Sequence, residues 1–320
     1  MEKNARANSL MDRFRSGEGI IYLIFILLVI LFTILQGKDF LSVFNIMNIL
    51  RQTAMISIMA VGMTFALSAG EIDLSVASVI ALSALVTSLM LRQFGIVVGI
   101  LSGFGVGLAV GLFNGTIVAF VRVPSFLVTL ASMSIIGGLS RWITQLRSIE
   151  IINDTFAFIF GSGDIGPIPV LLFWTLIVAV IGYLLLNRTA FGRRVLSAGG
   201  NEKAAYFTGI NTRMIKMKVL VISAMTAALA GMLYAGRLHG ARYNIGEGFE
   251  MSVIAATVLG GTSLFGGIGT ILGSIVGAIV IGIINNGLIL MGLDISQQMF
   301  FRGIILIVAI SLNTRLQLKQ

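Results

Sequence analysis

A chain of 320 residues that is 57% apolar and only 11% charged excludes a single soluble core. Soluble domains carry about 25% charged residues, and one core could not hide so many apolar segments. The net charge of +9 does not mark a nucleic-acid binder, because the basic residues sit at segment ends and not on one face with interleaved aromatics. With no cysteine and a single histidine, His239, disulfides, thiolate chemistry and clustered cysteine or histidine metal ligands are excluded.

The elements follow in chain order. Lys3, Arg6, Arg13 and Arg15 precede the apolar run from Ile20 to Leu35, followed by Gln36-Gly37-Lys38-Asp39. No small-x-small cleavage site follows the run, so it reads as a retained first transmembrane helix and not as a signal peptide. Hydropathy places about ten spans, at 20–36, 45–69, 74–91, 95–121, 124–145, 169–187, 218–237, 249–264, 267–291 and 298–313. The fold class expected is an all-α polytopic membrane protein, one transmembrane domain over residues 1–320. The Lys/Arg bias of short loops puts segment 1–19 and the very basic loop 188–218 in the cytoplasm, together with both termini. Glu150, Asp154, Asp164, Glu247 and Asp294 then ring the outer mouth.

The stretch Gly70-Glu71-Ile72-Asp73-Leu74-Ser75-Val76 resembles Gly248-Phe249-Glu250-Met251-Ser252-Val253, and Asn114-Gly115 echoes Asn286-Gly287. With the span count above, the copies run in opposite senses, an inverted internal repeat of the kind transporters use to enclose a pathway. Gly99, Gly103, Gly107, Gly111 and Gly115, and again Gly269, Gly273 and Gly277, recur every fourth residue. That spacing clears one helix face for close packing, within the chain or around a pathway or dimer seam.

Glu71 and Asp73 interrupt an apolar run. Asp73 before Leu74-Ser75 suits a helix cap or structural hydrogen bond, and an acidic group at this depth is also a candidate substrate contact. Asn114, Asn285 and Asn286 lie inside spans, where amides bond neighbouring helices or a polar substrate. For an uncharged, hydroxyl-rich substrate the candidate pathway residues are Asp73, Ser75, Asn114, Ser263 and Asn286. Gly161-Ser162-Gly163-Asp164 fits the GxGD pattern of intramembrane aspartyl proteases, but no partner aspartate lies in a preceding span to share a proton. In the basic loop, Asn201 is placed to cap a short helix over 202–208, and Gly209 to end it.

Three segments together carry a family resemblance. They are Ala69-Gly70-Glu71-Ile72-Asp73-Leu74-Ser75; Gly192-Arg193-Arg194 with Gly199-Gly200-Asn201-Glu202-Lys203-Ala204-Ala205 and Gly209-Ile210-Asn211; and Gly248-Phe249-Glu250 with Ala255-Ala256-Thr257-Val258-Leu259-Gly260-Gly261-Thr262-Ser263 and Gly266-Gly267. The chain resembles the permease subunits of bacterial ATP-binding-cassette importers for pentoses and related sugars, over about residues 20–315. Glu71 departs from a family that often has glycine there. The resemblance implies a homodimer or pseudo-symmetric heterodimer in the bacterial inner membrane, a two-domain ATPase docked on the cytoplasmic side and a sugar-binding protein docked outside. It implies a coupling helix contacting the ATPase through Asn201, Glu202, Ala204, Ala205 and Gly209. It also implies no cofactor on this chain, ATP and magnesium belonging to the ATPase subunits; the sequence has no phosphate-loop lysine motif. A branched-chain amino-acid permease and an ion-coupled secondary transporter are the alternative readings.

Overall fold

The computed structural model describes residues 18–294, 296–301, 303, 304 and 307. In chain order the helices are α1 (Glu18–Gln36), α2 (Val43–Ser68), α3 (Val76–Phe94), α4 (Ile96–Thr116), α5 (Ser125–Thr144), the single turn α6 (Asp154–Ala157), α7 (Val170–Arg188), α8 (Ala190–Gly200), α9 (Glu202–Phe207), α10 (Thr212–Leu238), α11 (Phe249–Leu259) and α12 (Ile271–Leu290). Eight of these are long and apolar enough to cross a bilayer, so the all-α polytopic expectation holds. Two small antiparallel pairs, Ile149–Glu150 with Gly240–Ala241 and Asp164–Ile165 with Ile168–Pro169, tie connections at the end of the bundle opposite α9. The tenth expected span, 298–313, falls mostly outside the described residues.

The central helices are α2 and α10, buried over most of their length, whereas α1 turns Leu23, Ile30 and Ile34 outward. In a bilayer that outer surface meets lipid, so packing and not water sorts the helices. The glycine stripe of α4 packs on α10: a Cβ at Gly111 would stand 2.6 Å from Val221 Cα, and one at Gly115 2.9 Å from Met217 Cα. The second stripe lets α12 lie against α11, Gly277 on Ala256 and Gly273 on Gly260. The two stripes thus serve contacts within one chain.

The eighth expected span needs correction. α11 has 11 residues and stops at Leu259, not 264. At the helical rise that is about 16 Å, half a hydrocarbon layer. Gly261, at φ +93°, ends it: Gly261 N–H donates to Val258 O and Thr262 N–H to Thr257 O, the paired bonds of a left-handed C-cap. Residues 262–270 then fold back with their polar groups met locally, Ser263 N–H on Ile268 O and Thr270 N–H on Thr262 Oγ1. Gly267 N–H reaches Ser68 O, so this loop closes against the end of α2.

Two non-helical segments lead into the bundle. Residues 69–75 precede α3 beside the first turns of α5, where Ile72 N–H bonds Ser125 Oγ. Residues 242–248 precede α11, and Glu247 pairs with Arg141 near the other end of α5. The two segments thus approach α5 from opposite ends. Gly246 of the second packs on Ala77 and Ile80 in the first turns of α3, the helix that the first segment leads into.

Candidate functional site

The first segment begins with a forced turn. α2 ends in the same left-handed cap: Gly70 N–H donates to Leu67 O and Glu71 N–H to Ala66 O, each at 2.9 Å, with Gly70 at φ +79°. The positive φ falls on Gly70 and not on Glu71, so a side chain at 71 costs nothing in backbone strain. Beyond it the non-helical backbone must satisfy its amides without water. Helix α5 supplies hydroxyls one and two turns apart. Ser125 Oγ accepts from Ile72 N–H at 3.0 Å, and Thr129 Oγ1 accepts from Leu74 N–H at 3.1 Å and lies 3.2 Å from Ile72 O.

A buried polar chain continues from there. Ser75 donates to Asp73 Oδ1 through its amide at 3.0 Å and its hydroxyl at 2.6 Å. Asn114 Nδ2 donates to Ser75 Oγ at 3.0 Å, and Ser132 donates to Asn114 Oδ1. All four side chains are at most 1% exposed. Asp73 Oδ2 has no hydrogen bond and faces the Ser223 hydroxyl, itself unpaired. Asp73, Ser75 and Asn114 are therefore brought together, engaged with one another. Ser125, Thr129 and Ser132 were not foreseen, although their i, i+4, i+7 spacing places them on one face of α5.

Asn286 and Ser263 lie elsewhere. Asn286 exchanges two side-chain bonds with Asn45 of α2, at 2.9 and 3.1 Å, and both residues are buried. Ser263 Oγ accepts from Phe265 N–H at 3.1 Å in the loop after α11.

Helix α9 forms as its end signals predict. Asn201 Oδ1 accepts from Ala204 N–H at 3.0 Å, and Gly209, at φ +85°, closes the helix with Ile210 N–H on Ala205 O. One expectation changes: Ala205 is buried against the chain's own body, whereas Ala204 is exposed. Two turns of helix have one inner face, and Ala205 occupies it. The outward groups are Glu202, Lys203, Tyr206 and Phe207, the last 84% exposed. Between α9, the segment 118–124 that follows α4, and the start of α10 lies a groove of about 890 Å³, lined among others by Glu71, Arg122, Phe207 and Lys216. At its base Lys216 Nζ sits 3.0 Å from Glu71 Oε1 and 2.9 Å from Glu202 Oε2.

At the opposite end the acidic ring is partly neutralised by the chain itself. Arg51 grips both oxygens of Asp164 at 2.7 Å, and Arg141 holds Glu247 at 2.8 Å. The GxGD aspartate is thus an ion-pair partner.

The sequence pattern of the family described as branched-chain amino acid transport system / permease component matches residues 45–310. The ribose import permease of Bacillus subtilis (strain 168) is 38% identical over 291 residues, 90% of each chain. The ribose import permease of Haemophilus influenzae is 37% identical over 327 positions, covering 100% of each. The D-allose transport system permease of Escherichia coli (strain K12) is 34% identical over 295 residues, 91% of this chain and 90% of that one. No solved structure matches the chain.

Proposed function

Since the chain belongs to the family of branched-chain amino acid transport system permease components, we propose that it is the membrane-spanning permease of an ATP-driven importer for a ribose-type monosaccharide. The observation that carries the substrate class is likeness to ribose import permeases along the whole chain. Those proteins are importer permeases, and ATP is hydrolysed here by a partner subunit. The chain sits in the bacterial inner membrane with both termini and the α8–α9 loop in the cytoplasm, the side its basic residues favour. A short, capped helix with exposed Tyr206 and Phe207 suits a groove on the ATPase. A sugar-binding protein delivers substrate at the other end, steered by Glu150, Asp154 and Asp294. Two such chains, identical or a pseudo-symmetric pair, enclose the route. The mutual bonding of Asp73, Ser75 and Asn114 inside one chain is consistent with a path between two copies.

The test is reconstitution of this chain with its ATPase and binding-protein partners in vesicles. ATP-dependent uptake of ribose in preference to leucine is expected. Leucine uptake would move the assignment to amino acids, and uptake driven by an ion gradient without ATP would overturn it.

A further inference from the structure

Among the described residues, Glu71 is the buried acidic member of an ion pair; the other paired carboxylates are all more than 40% exposed. It stands one residue past the cap that turns the chain from α2 into the bundle, and two residues before Asp73. Its partner Lys216 lies on the first turns of α10 and at the same time holds Glu202, the first residue of α9. One ammonium therefore joins two carboxylates on elements far apart in sequence. From Glu71 the contacts run on without a gap: Ile72 N–H to Ser125, Leu74 N–H to Thr129, Asp73 to Ser75, Ser75 to Asn114, Asn114 to Ser132. A displacement of α9 that keeps both pairs must carry Glu71 with it, because an unpaired buried carboxylate is strongly disfavoured.

We propose that Lys216 is the link by which movement of α9 reaches the inward-turning segment 69–75, holding Glu202 and Glu71 on one ammonium. This rests on the permease reading, in which α9 meets the ATPase. Lys216 and Glu71 are positioning residues; neither touches the transported molecule. The test reads coupling between the two elements directly.

The assembled transporter is compared with its Glu71→Gln form in vesicles. ATPase binding and basal hydrolysis should match the parent. Sugar moved per ATP should fall about five-fold or more, the low end of typical coupling between sites. ATPase docking should change amide exchange at Ile72 and Leu74 in the parent and not in the variant. A pair that merely stabilised the fold would leave that docking response intact. Lys216→Gln cuts the same link by a second route, and Lys216→Arg, which keeps both pairs, should restore most of the coupling. A parent that shows no sugar-stimulated hydrolysis overturns the permease reading and this proposal with it. A parent that couples, with Glu71→Gln coupling equally well, overturns the proposal alone.

Discussion

The segments 69–75 and 242–248 do the same topological job and are held in different ways. The first is fixed from both sides, by a left-handed cap behind it and by hydroxyls of α5 alongside it. The second advances by turns, with Gly246 and Gly248 at φ +88° and +83°, and its named ion pair, Arg141–Glu247, is half exposed. Glu250, which begins the helix beyond it, keeps Oε2 buried and unpartnered. Backbone away from water survives where neighbours satisfy it, so the first segment is firmly tied to its neighbours and the second more loosely tethered. Local opening concentrates where such ties are few.

The largest expected effect comes from cutting the buried chain. Asn114→Ala strips Ser75 and Ser132 of their shared amide and should cost about 2 kcal/mol, within the range for orphaned buried groups. Thermal unfolding in detergent, followed by tryptophan fluorescence, measures it. Melting at the parent temperature would mean that the first segment is not held by this chain of bonds. Thr129→Val keeps the volume but takes the acceptor from Leu74 N–H, at about 1 kcal/mol. Amide exchange at Leu74 should quicken while exchange across α11 stays as it was; equal quickening in both places would erase the distinction between the segments. The smallest effect belongs to the second segment. Arg141→Ala removes an exposed pair and should cost about 0.5 kcal/mol or less, shrinking further in high salt. A loss as large as that of Asn114→Ala would show the second segment to be tied as firmly as the first.

Much of this was legible in the chain itself. Long apolar runs located the eight candidate spanning helices among the described residues because length and hydropathy suffice for that. The eighth expected span overran because small and apolar residues continue past Leu259, whereas Gly260-Gly261 stops the helix there. Asn201 and Gly209 set the limits of α9 correctly, since caps are local signals. Which way Ala205 points was not legible, because six helical residues carry too little periodicity to define a face. The engagement of Asp73 with Ser75 was readable as a structural hydrogen bond, although the N-cap position itself falls on Ser75; the Ser125, Thr129 and Ser132 face that receives the segment needed attention to hydroxyl spacing. Partners distant in sequence, Arg51 with Asp164 and Lys216 with Glu71, depend on the assembled bundle, and nothing local announces them.

The reciprocal amide pair between Asn45 and Asn286 bears on how the bundle finds its arrangement. Lipid by itself offers helices α2 and α12 little reason to prefer one vertical alignment over another. Two carboxamides that each give and take one hydrogen bond supply that reason. Sliding either helix by a single turn, about 5.4 Å, parts both bonds at once. The pair thus acts as an alignment key during lateral assembly, rejecting neighbours that fit by shape but stand one turn out of step, much as a lone buried asparagine fixes the register of a coiled coil.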